Sequence, residues 1–522
     1  MAKREIRFFN TTGPCNPDDH YMLALEDRLA GVQLERYIKD QIYWILHAHR
    51  PRQTGKTTVI MSFIRKIMSE NEAIACYASV EMCQGISEPE KAIPTICSSI
   101  KNSADRVKLP IPAISAQYHH SMLNDTLRNL AKLAAPKPLI VCFDEIDTLE
   151  DKVLISFLRQ LIDGFASRGI GKFPVSIVLV SMRDLSDYIM TAKNEAESNS
   201  ILPFNKEYVS LSNFHKDDIA KLFSQRTAET GQKITEEALD YVYEQSKGQP
   251  WIVNSLFARA TLRILKEDSR ETVTKELIEQ AREQMLLASD WHLDSIVFRL
   301  KELHLYKVIE ALMIGESEYV ITQSDEFKHC LNFGIVSKEH GTLTVANPIY
   351  REVLARVLTN NEQSFIPSPE WEWKKSDGSL DMETLLKEFQ KIWRANSELW
   401  EEKSDYTEAF PHLLLQAFLQ RVLNGGGHID REYAAGRGSL DLRVEYNKKK
   451  YIIEVKILRD YNTLQQIKER GFQQITRYRD RVAPKVPAYL VIFDRRSESK
   501  KASWDERITW TQEAEGIIVV GC

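Results

Sequence analysis

The chain has 522 residues, a formal net charge of −5, 43% hydrophobic and 27% charged residues, and few Gly and Pro. That length predicts about three or four globular domains rather than one core, and without a global basic signature any nucleic-acid contact must come from local patches. The seven cysteines, Cys15, Cys76, Cys83, Cys97, Cys142, Cys330 and Cys522, occur singly with no C-x-x-C pair, which argues against a zinc site or a disulfide framework and for packing roles.

In chain order, QIYWILH (41–47) predicts a short buried strand, followed by the segment HRPRQTGKTT and a helical stretch, TTVIMSFIRKIMSE. AIACYASVE (73–81) predicts a second strand, 88–104 and 119–134 two helices, PLIVCFDEID (138–147) an apolar strand ending in three acids, and VSIVLVSMRD (175–184) another apolar strand after an intervening helix. Apolar strands alternating with helices predict a parallel sheet covered on both faces. Residues 213–286 read as all helical, 290–358 as short helices with a strand pair around a His-Gly turn, and 359–380 as a polar linker. The rest reads as a separate α/β unit with helices at 381–402, 406–423 and 463–481 and strands at 428–434, 439–446, 450–457 and 487–494. No signal peptide and no membrane-spanning run is read, so the expected location is the cytoplasm.

HRPRQTGKTT (49–58) ends as a phosphate-binding loop ends, but the first glycine position of G-x-x-x-x-G-K-[ST] holds Arg50. Such a loop turns backbone N–H groups toward anionic oxygens and adds a lysine for the outer phosphates and a hydroxyl for Mg²⁺. Lys56 is the candidate for the phosphates and Thr57 for the metal, while Gly55 permits close backbone approach. Arg52, Gln53, Thr54 and Thr58 complete the nucleotide-binding loop. The strand PLIVCFDE supplies Asp144 for the metal and Glu145 to orient or activate water. Arg183, beyond Ser181 on the next strand, stands where a γ-phosphate sensor would.

HRPRQTGKTT with FDEID resembles the bacterial and archaeal ATPases of the AAA+/STAND group that carry PRQ-x-GKT loops. FNTTGPCNPDDHYML with Arg28, then ILPFNKEYVSLSNF and GQPWIVNSLFARA, are similar to the AAA-like family over residues 5–358. Gly248-Gln249-Pro250 resembles the G-x-P signature at the start of a lid helix, which brings Pro250 to the nucleotide. The resemblance implies ATP, an Orc/Cdc6-like lid and a following winged helix. Gly or Ala is usual where Arg50 stands, a departure that bears on hydrolysis more than on binding. Neighbours in AAA+ assemblies often complete each other's sites, and Arg226 in the lid is a candidate for that role.

The second chemical feature is GSLDLRVEYNKKKYIIEVKI (438–457). Period two puts Asp441 on one strand and Glu454 and Lys456 on the next on one face of a hairpin. Two carboxylates there can bind Mg²⁺ or Mn²⁺, and the lysine can position the water attacking a phosphodiester. Glu408, on an upstream amphipathic helix, could add a carboxylate to the metal, and Gln474 shares a helical face with Tyr478. The series resembles the PD-(D/E)XK nuclease superfamily over 385–495. That resemblance assigns catalysis to Asp441, Glu454 and Lys456, with Glu408 and Gln474 accessory. Basic residues around it, including Arg443, Lys448, Lys449, Lys450, Lys468, Arg470, Arg477 and Arg479, suit phosphate-backbone contacts.

The expected architecture is therefore α/β multidomain: a P-loop parallel-sheet ATPase core (1–212), a helical lid (213–288), a winged-helix-like module (289–358), a linker (359–380) and a PD-(D/E)XK α/β nuclease fold (381–522). The expected activity is an ATP- and Mg²⁺-dependent nuclease on DNA, set in defence against phage or mobile elements, with homo-oligomers and no membrane partner. The alternatives are a STAND-like switch whose nuclease acts only on assembly, and a nucleic-acid-binding module with a degenerate nuclease fold.

Overall fold

The computed structural model describes residues 6–29, 32–47, 53–109, 119–181, 206–287, 291–302, 305, 308–309, 312, 324–339, 342–358, 375–402, 414–415, 418–419, 427–434, 439–458, 460, 462–481, 485–494, 496, 503–513 and 516–522. Two compact units divide it: Met1–Arg299 with Thr322–Gly341, and Leu300–Ile321 with Thr342–Cys522.

In the first unit, β1 (Tyr43–His47), α1 (Lys56–Glu70), β2 (Ile74–Ser79), α2 (Pro89–Arg106), α3 (His119–Ala134), β3 (Leu139–Asp144), α4 (Asp151–Phe165), β4 (Ser176–Ser181) and β5 (Lys206–Ser210) follow in order. The five strands form a wholly parallel sheet in the order β2-β3-β4-β1-β5. β3 and β4 are buried at every position, because helices cover both faces of the sheet. Along β3 the side chains alternate between the two cores. Val141 and Phe143 join Ile96, Leu127 and Phe157 from α2, α3 and α4, and Ile140 and Cys142 join Ile60 and Phe63 from α1. β5 is not among the strands the sequence predicts: among the described residues it pairs only with β1, at the sheet edge, and KEYVS lacks a continuous apolar run.

The lid helices α5 (Lys216–Thr230), α6 (Glu236–Ser246), α7 (Pro250–Ala258) and α8 (Lys275–Leu287) follow. The N-terminal segment is part of their core: the Phe9 ring lies 5.7 Å from Phe223 and 5.0 Å from Phe257. The stretch read as a winged helix holds α9 (Trp291–Glu302), α10 (Asp325–Asn332), β6 (Val336–Glu339), β7 (Thr342–Val345) and α11 (Pro348–Leu358), and contributes residues to both units.

The second unit continues with α12 (Met382–Glu402), β8 (Gly427–Ala434), β9 (Ser439–Tyr446), β10 (Lys449–Leu458), α13 (Leu464–Arg481), β11 (Ala488–Asp494), β12 (Thr509–Gln512) and β13 (Ile517–Gly521). Its mixed sheet runs β12-β13-β11-β10-β9-β8, with β10, β11 and β13 parallel and the outer pairings antiparallel. α12 covers one face through Phe389 and Trp393, against Val455 and Phe493. α13 covers the other through Ile467, Ile475 and Tyr478, against Ile452 and Leu490. Asn447 and Lys448, both at positive φ (47° and 63°), make the two-residue β9–β10 turn, a geometry that matches strand twist.

Six of the cysteines are buried and Cys15 is half-buried, consistent with packing roles. Among the described residues, no helix is long and apolar enough to cross a membrane.

Candidate functional site

The turn after β1 and the end of β3 meet in a cavity of about 640 Å³. Gln53, Thr54, Gly55, Lys56, Thr57, Thr58, Asp144, Glu145 and Pro250 all line it, so every predicted nucleotide-site residue that is described falls in one place. Arg52 and Arg183, like Arg50, lie outside the described residues. Gly55 has φ +88° and starts α1 without a side-chain cap, leaving the first backbone N–H groups of the helix for an anion. Thr57 Oγ1 donates to Asp144 Oδ2 at 2.7 Å, which brings together the two groups predicted to share a cation. The donor set fits a nucleotide with a divalent ion. In addition, Thr54 Oγ1 and Gln53 Oε1 are buried with no hydrogen-bond partner among the described residues, as expected where a ligand completes the bonding.

Asp144 is 2% exposed and takes two further donors: Tyr77 Oη to Oδ2 at 3.0 Å and the Glu145 backbone N to Oδ1 at 2.9 Å. Burial raises its pKa, against the pull of Thr57, Tyr77 and the Lys56 charge. Tyr77 was not foreseen as a site residue. It faces Asp144 only because β2 lies beside β3 in register, with Tyr77 opposite Cys142. Glu145 sits at φ +62°, a left-handed conformation costing about 1 kcal/mol for a non-glycine residue and typical of functional positions. Ser79 Oγ donates to its Oε2 at 3.3 Å. Burial first, then the charges of Asp144 and Glu81, push the Glu145 pKa up to about 7.

A base must be ionised to act, so kcat/KM for ATP hydrolysis should rise with pH through an acid limb near 7. Glu145→Gln should remove that limb and lower hydrolysis by about 10²-fold or more while nucleotide still binds; a pH–rate series on both proteins checks this. For stability the sign is opposite. A carboxyl whose folded pKa is raised is most stabilising below its unfolded value, and that stability is lost as pH rises toward about 7.

The lid reaches the cavity through Gly248-Gln249-Pro250. Gly248 has φ +73°, and a Cβ there would lie 1.9 Å from the Phe214 carbonyl oxygen, whose own backbone N–H donates to Gly248 O at 2.8 Å. Gln249 caps α7 by accepting from Ile252 N at 2.7 Å, and Pro250 takes the first turn, where no N–H is needed. Phe214 also lines the cavity. Gly248→Ala should therefore displace both Phe214 and the start of α7, destabilising the protein by about 2–3 kcal/mol and weakening nucleotide binding; thermal melting and nucleotide titration check it.

Arg28 donates to Thr54 O at 3.0 Å and Ser212 O at 3.1 Å and lies 4.7 Å from the Phe214 ring, tying the phosphate loop to the segment leading into the lid. Burial lowers its pKa to about 10, which leaves it charged at neutral pH. Arg226 requires a correction. It is 1% exposed, its Nε donates to Gln232 Oε1 at 2.5 Å, and it lies inside the lid, so it holds the lid together and is not available to a neighbouring subunit.

In the second unit, β10 alternates between two cores. Tyr451, Ile453 and Val455 face α12, and Ile452 and Leu458 face α13. Glu454 and Lys456 fall between the latter two on the α13 side. Glu454 is fully buried, and Lys456 Nζ lies 2.6 Å from its Oε1. The β9–β10 register pairs Leu442 with Ile453, the neighbours in sequence of Asp441 and Glu454. The Asp441 side chain and Glu408 lie outside the described residues. Gln474 is half-buried on α13, the helix whose Ile475 and Tyr478 pack against this face. Several of the basic residues are engaged within the unit: Lys449 with Asp377 at 2.5 Å, Lys468 with Glu513 at 2.7 Å, and Arg479 with Val486 O. Lys448, Arg470 and Arg477 are exposed.

The family model of the PD-(D/E)XK nuclease superfamily matches residues 406–492. The match spans the strand pair that carries Asp441, Glu454 and Lys456, together with α13. No curated protein matches the chain. Several solved structures are similar to part of the chain at 13–15% identity. The Walker-type ATPase PabY2304 of Pyrococcus abyssi matches with TM-score 0.46 and 14% identity over 66% of this chain and 99% of that one. The ORC2 protein of Aeropyrum pernix matches with TM-score 0.40 and 13% identity over 64% and 93%, and RuvB of Thermotoga maritima with 0.34 and 15% over 62% and 90%. The chain thus joins a parallel-sheet unit, with a turn of phosphate-loop geometry at the start of α1, to a region over residues 406–492 that matches the PD-(D/E)XK nuclease superfamily model.

Proposed function

We propose that this chain is an ATP-binding and ATP-hydrolysing, metal-dependent nuclease that cuts DNA in the cytoplasm. The observation that carries the reading is the occurrence in one chain of the Thr57–Asp144 contact at a phosphate loop and the buried Glu454–Lys456 pair inside a nuclease-superfamily match. In the first unit Lys56 and the α1 N-terminus hold the phosphates, with Arg52, Gln53, Thr54, Thr58, Arg183 and Pro250 around the nucleotide. Thr57 and Asp144 hold Mg²⁺, and Glu145 accepts a proton from the attacking water. Bound Mg²⁺ neutralises phosphate charge. In the second unit Asp441, Glu454 and Glu408 are the ligands for a divalent cation, which supplies Lewis-acid activation when bound. Lys456 sets a fixed positive charge beside the phosphodiester, Gln474 orients polar groups there, and exposed Lys448, Arg470 and Arg477 contact the DNA backbone.

The domain limits we assign are 1–212 for the ATPase core, 213–288 for the lid, 289–358 for a winged helix, 359–380 for a linker and 381–522 for the nuclease. Defence against phage or mobile elements is the setting assigned by analogy with such fusions. A second reading, a STAND-like switch that assembles before it cuts, draws on the complete burial of Glu454, which suits a site opened by rearrangement. The test is cleavage of single- and double-stranded DNA and RNA, with and without ATP and Mg²⁺. The expected result is Mg²⁺-dependent DNA cleavage raised by ATP, lost in Glu454→Ala, with the ATP response lost in Lys56→Ala. Cleavage indifferent to ATP and to Lys56→Ala removes the gating, and no cleavage of any substrate under any condition sinks the nuclease reading. Cleavage that appears only with oligomers favours the switch.

A further inference from the structure

The nucleotide cavity is lined by polar side chains, among them Lys56, Thr57 and Asp144, and by apolar ones, Leu25, Phe214, Leu222 and Pro250, the kind suited to the flat face of a base. On α7, Pro250 and Asn254 are four residues apart and so share a helix face; both line the cavity. Asn254 is 8% exposed, and its Oδ1 is buried with no hydrogen-bond partner among the described residues. A buried amide oxygen left without a donor is costly, so this position is built for a donor that arrives with the ligand. The helix that carries it is held in place at two points. Gln249 caps its first turn, and Trp251 Nε1 donates to Thr11 O at 3.0 Å, fastening α7 to the N-terminal segment.

Resting on the nucleotide-site reading above, we infer that Asn254 reads the base of the bound nucleotide and selects adenine over guanine. Adenine presents an exocyclic amine, a donor, where guanine presents a carbonyl oxygen. The Asn254 oxygen bonds to the first and meets a second acceptor in the other. A ribose hydroxyl is the other donor a nucleotide carries, and the ligand series separates the two.

The experiment is a Mg²⁺-containing binding titration of the full chain with ATP, GTP, purine riboside triphosphate (the adenine ring without its amine), and 2′- and 3′-deoxy-ATP. Wild type should bind GTP and purine riboside triphosphate about tenfold more weakly than ATP and both deoxy-ATPs as well as ATP. Asn254→Ala should lose the distinction between ATP and purine riboside triphosphate, and Lys56→Ala should weaken binding of all of them about 100-fold. Equal binding of ATP and purine riboside triphosphate by wild type overturns the inference while leaving the ATP site standing. So does a loss that follows the sugar hydroxyls, or an ATP-to-GTP ratio unchanged in Asn254→Ala. Absence of any Lys56-dependent binding overturns both. The wild-type ligand series decides by itself if the variant does not fold.

Discussion

Lys56→Ala is expected to weaken nucleotide binding about 100-fold, since a charged hydrogen bond to phosphate is worth about 3 kcal/mol and each 1.4 kcal/mol is tenfold. The fold should persist. Lys56 is the first residue of α1 and partly exposed, and alanine is the best helix former. Loss of binding can then be separated from loss of structure. Wild type should gain about 2.7 kcal/mol of stability at a ligand concentration of 100 Kd, and the variant almost none at the same concentration. Melting curves with and without Mg·ATP read both quantities together. A variant that melts like wild type in the presence of ATP would place the phosphates elsewhere.

Lys456→Ala should abolish DNA cleavage and also destabilise the second unit, by about 3 kcal/mol. Glu454 is fully buried, its lysine partner is one-fifth exposed, and removing one member of a buried pair costs about 3–5 kcal/mol; the partial exposure of Lys456 points to the lower end. The double replacement Glu454→Gln with Lys456→Met should recover most of that stability, because similar-sized neutral groups avoid the cost of burying charge, yet remain inactive. Denaturant unfolding of the three proteins alongside a cleavage assay is the measurement. Full activity in the double variant would mean that the pair is structural and the chemistry lies elsewhere.

The two sites differ in how much of them can be read along the chain. The phosphate loop and the acidic strand are legible because each motif follows a continuous apolar run, and burial on both sheet faces is what makes such runs. Gly248-Gln249-Pro250 is legible for a local reason as well: a left-handed glycine, a capping side chain and a proline at the first turn are a helix start written in three residues. The β9–β10 hairpin is legible through period two, and its register pairs Leu442 with Ile453, the sequence neighbours of Asp441 and Glu454.

What escaped the linear reading depends on neighbours distant in sequence. Tyr77 reaches Asp144 across 67 positions, Arg28 reaches Thr54 across 26, and Trp251 reaches Thr11 across 240. β12 and β13 form an edge pairing whose partner β11 is contributed by an earlier part of the chain. Arg226, read as a candidate to complete a neighbouring subunit's site, is instead buried against Gln232, since one helix face cannot be told from another until its packing partners are in place. The sequence by itself determined the residue types of the phosphate-loop, acidic and E-V-K motifs, because motif spacing and hydrophobic period are local properties of the chain. Only the tertiary structure decided which side chains close around those motifs, such as Tyr77 on Asp144, Arg28 on the loop and Asn254 over the cavity, because strand order and lid packing bring them there and neither is encoded in any single stretch.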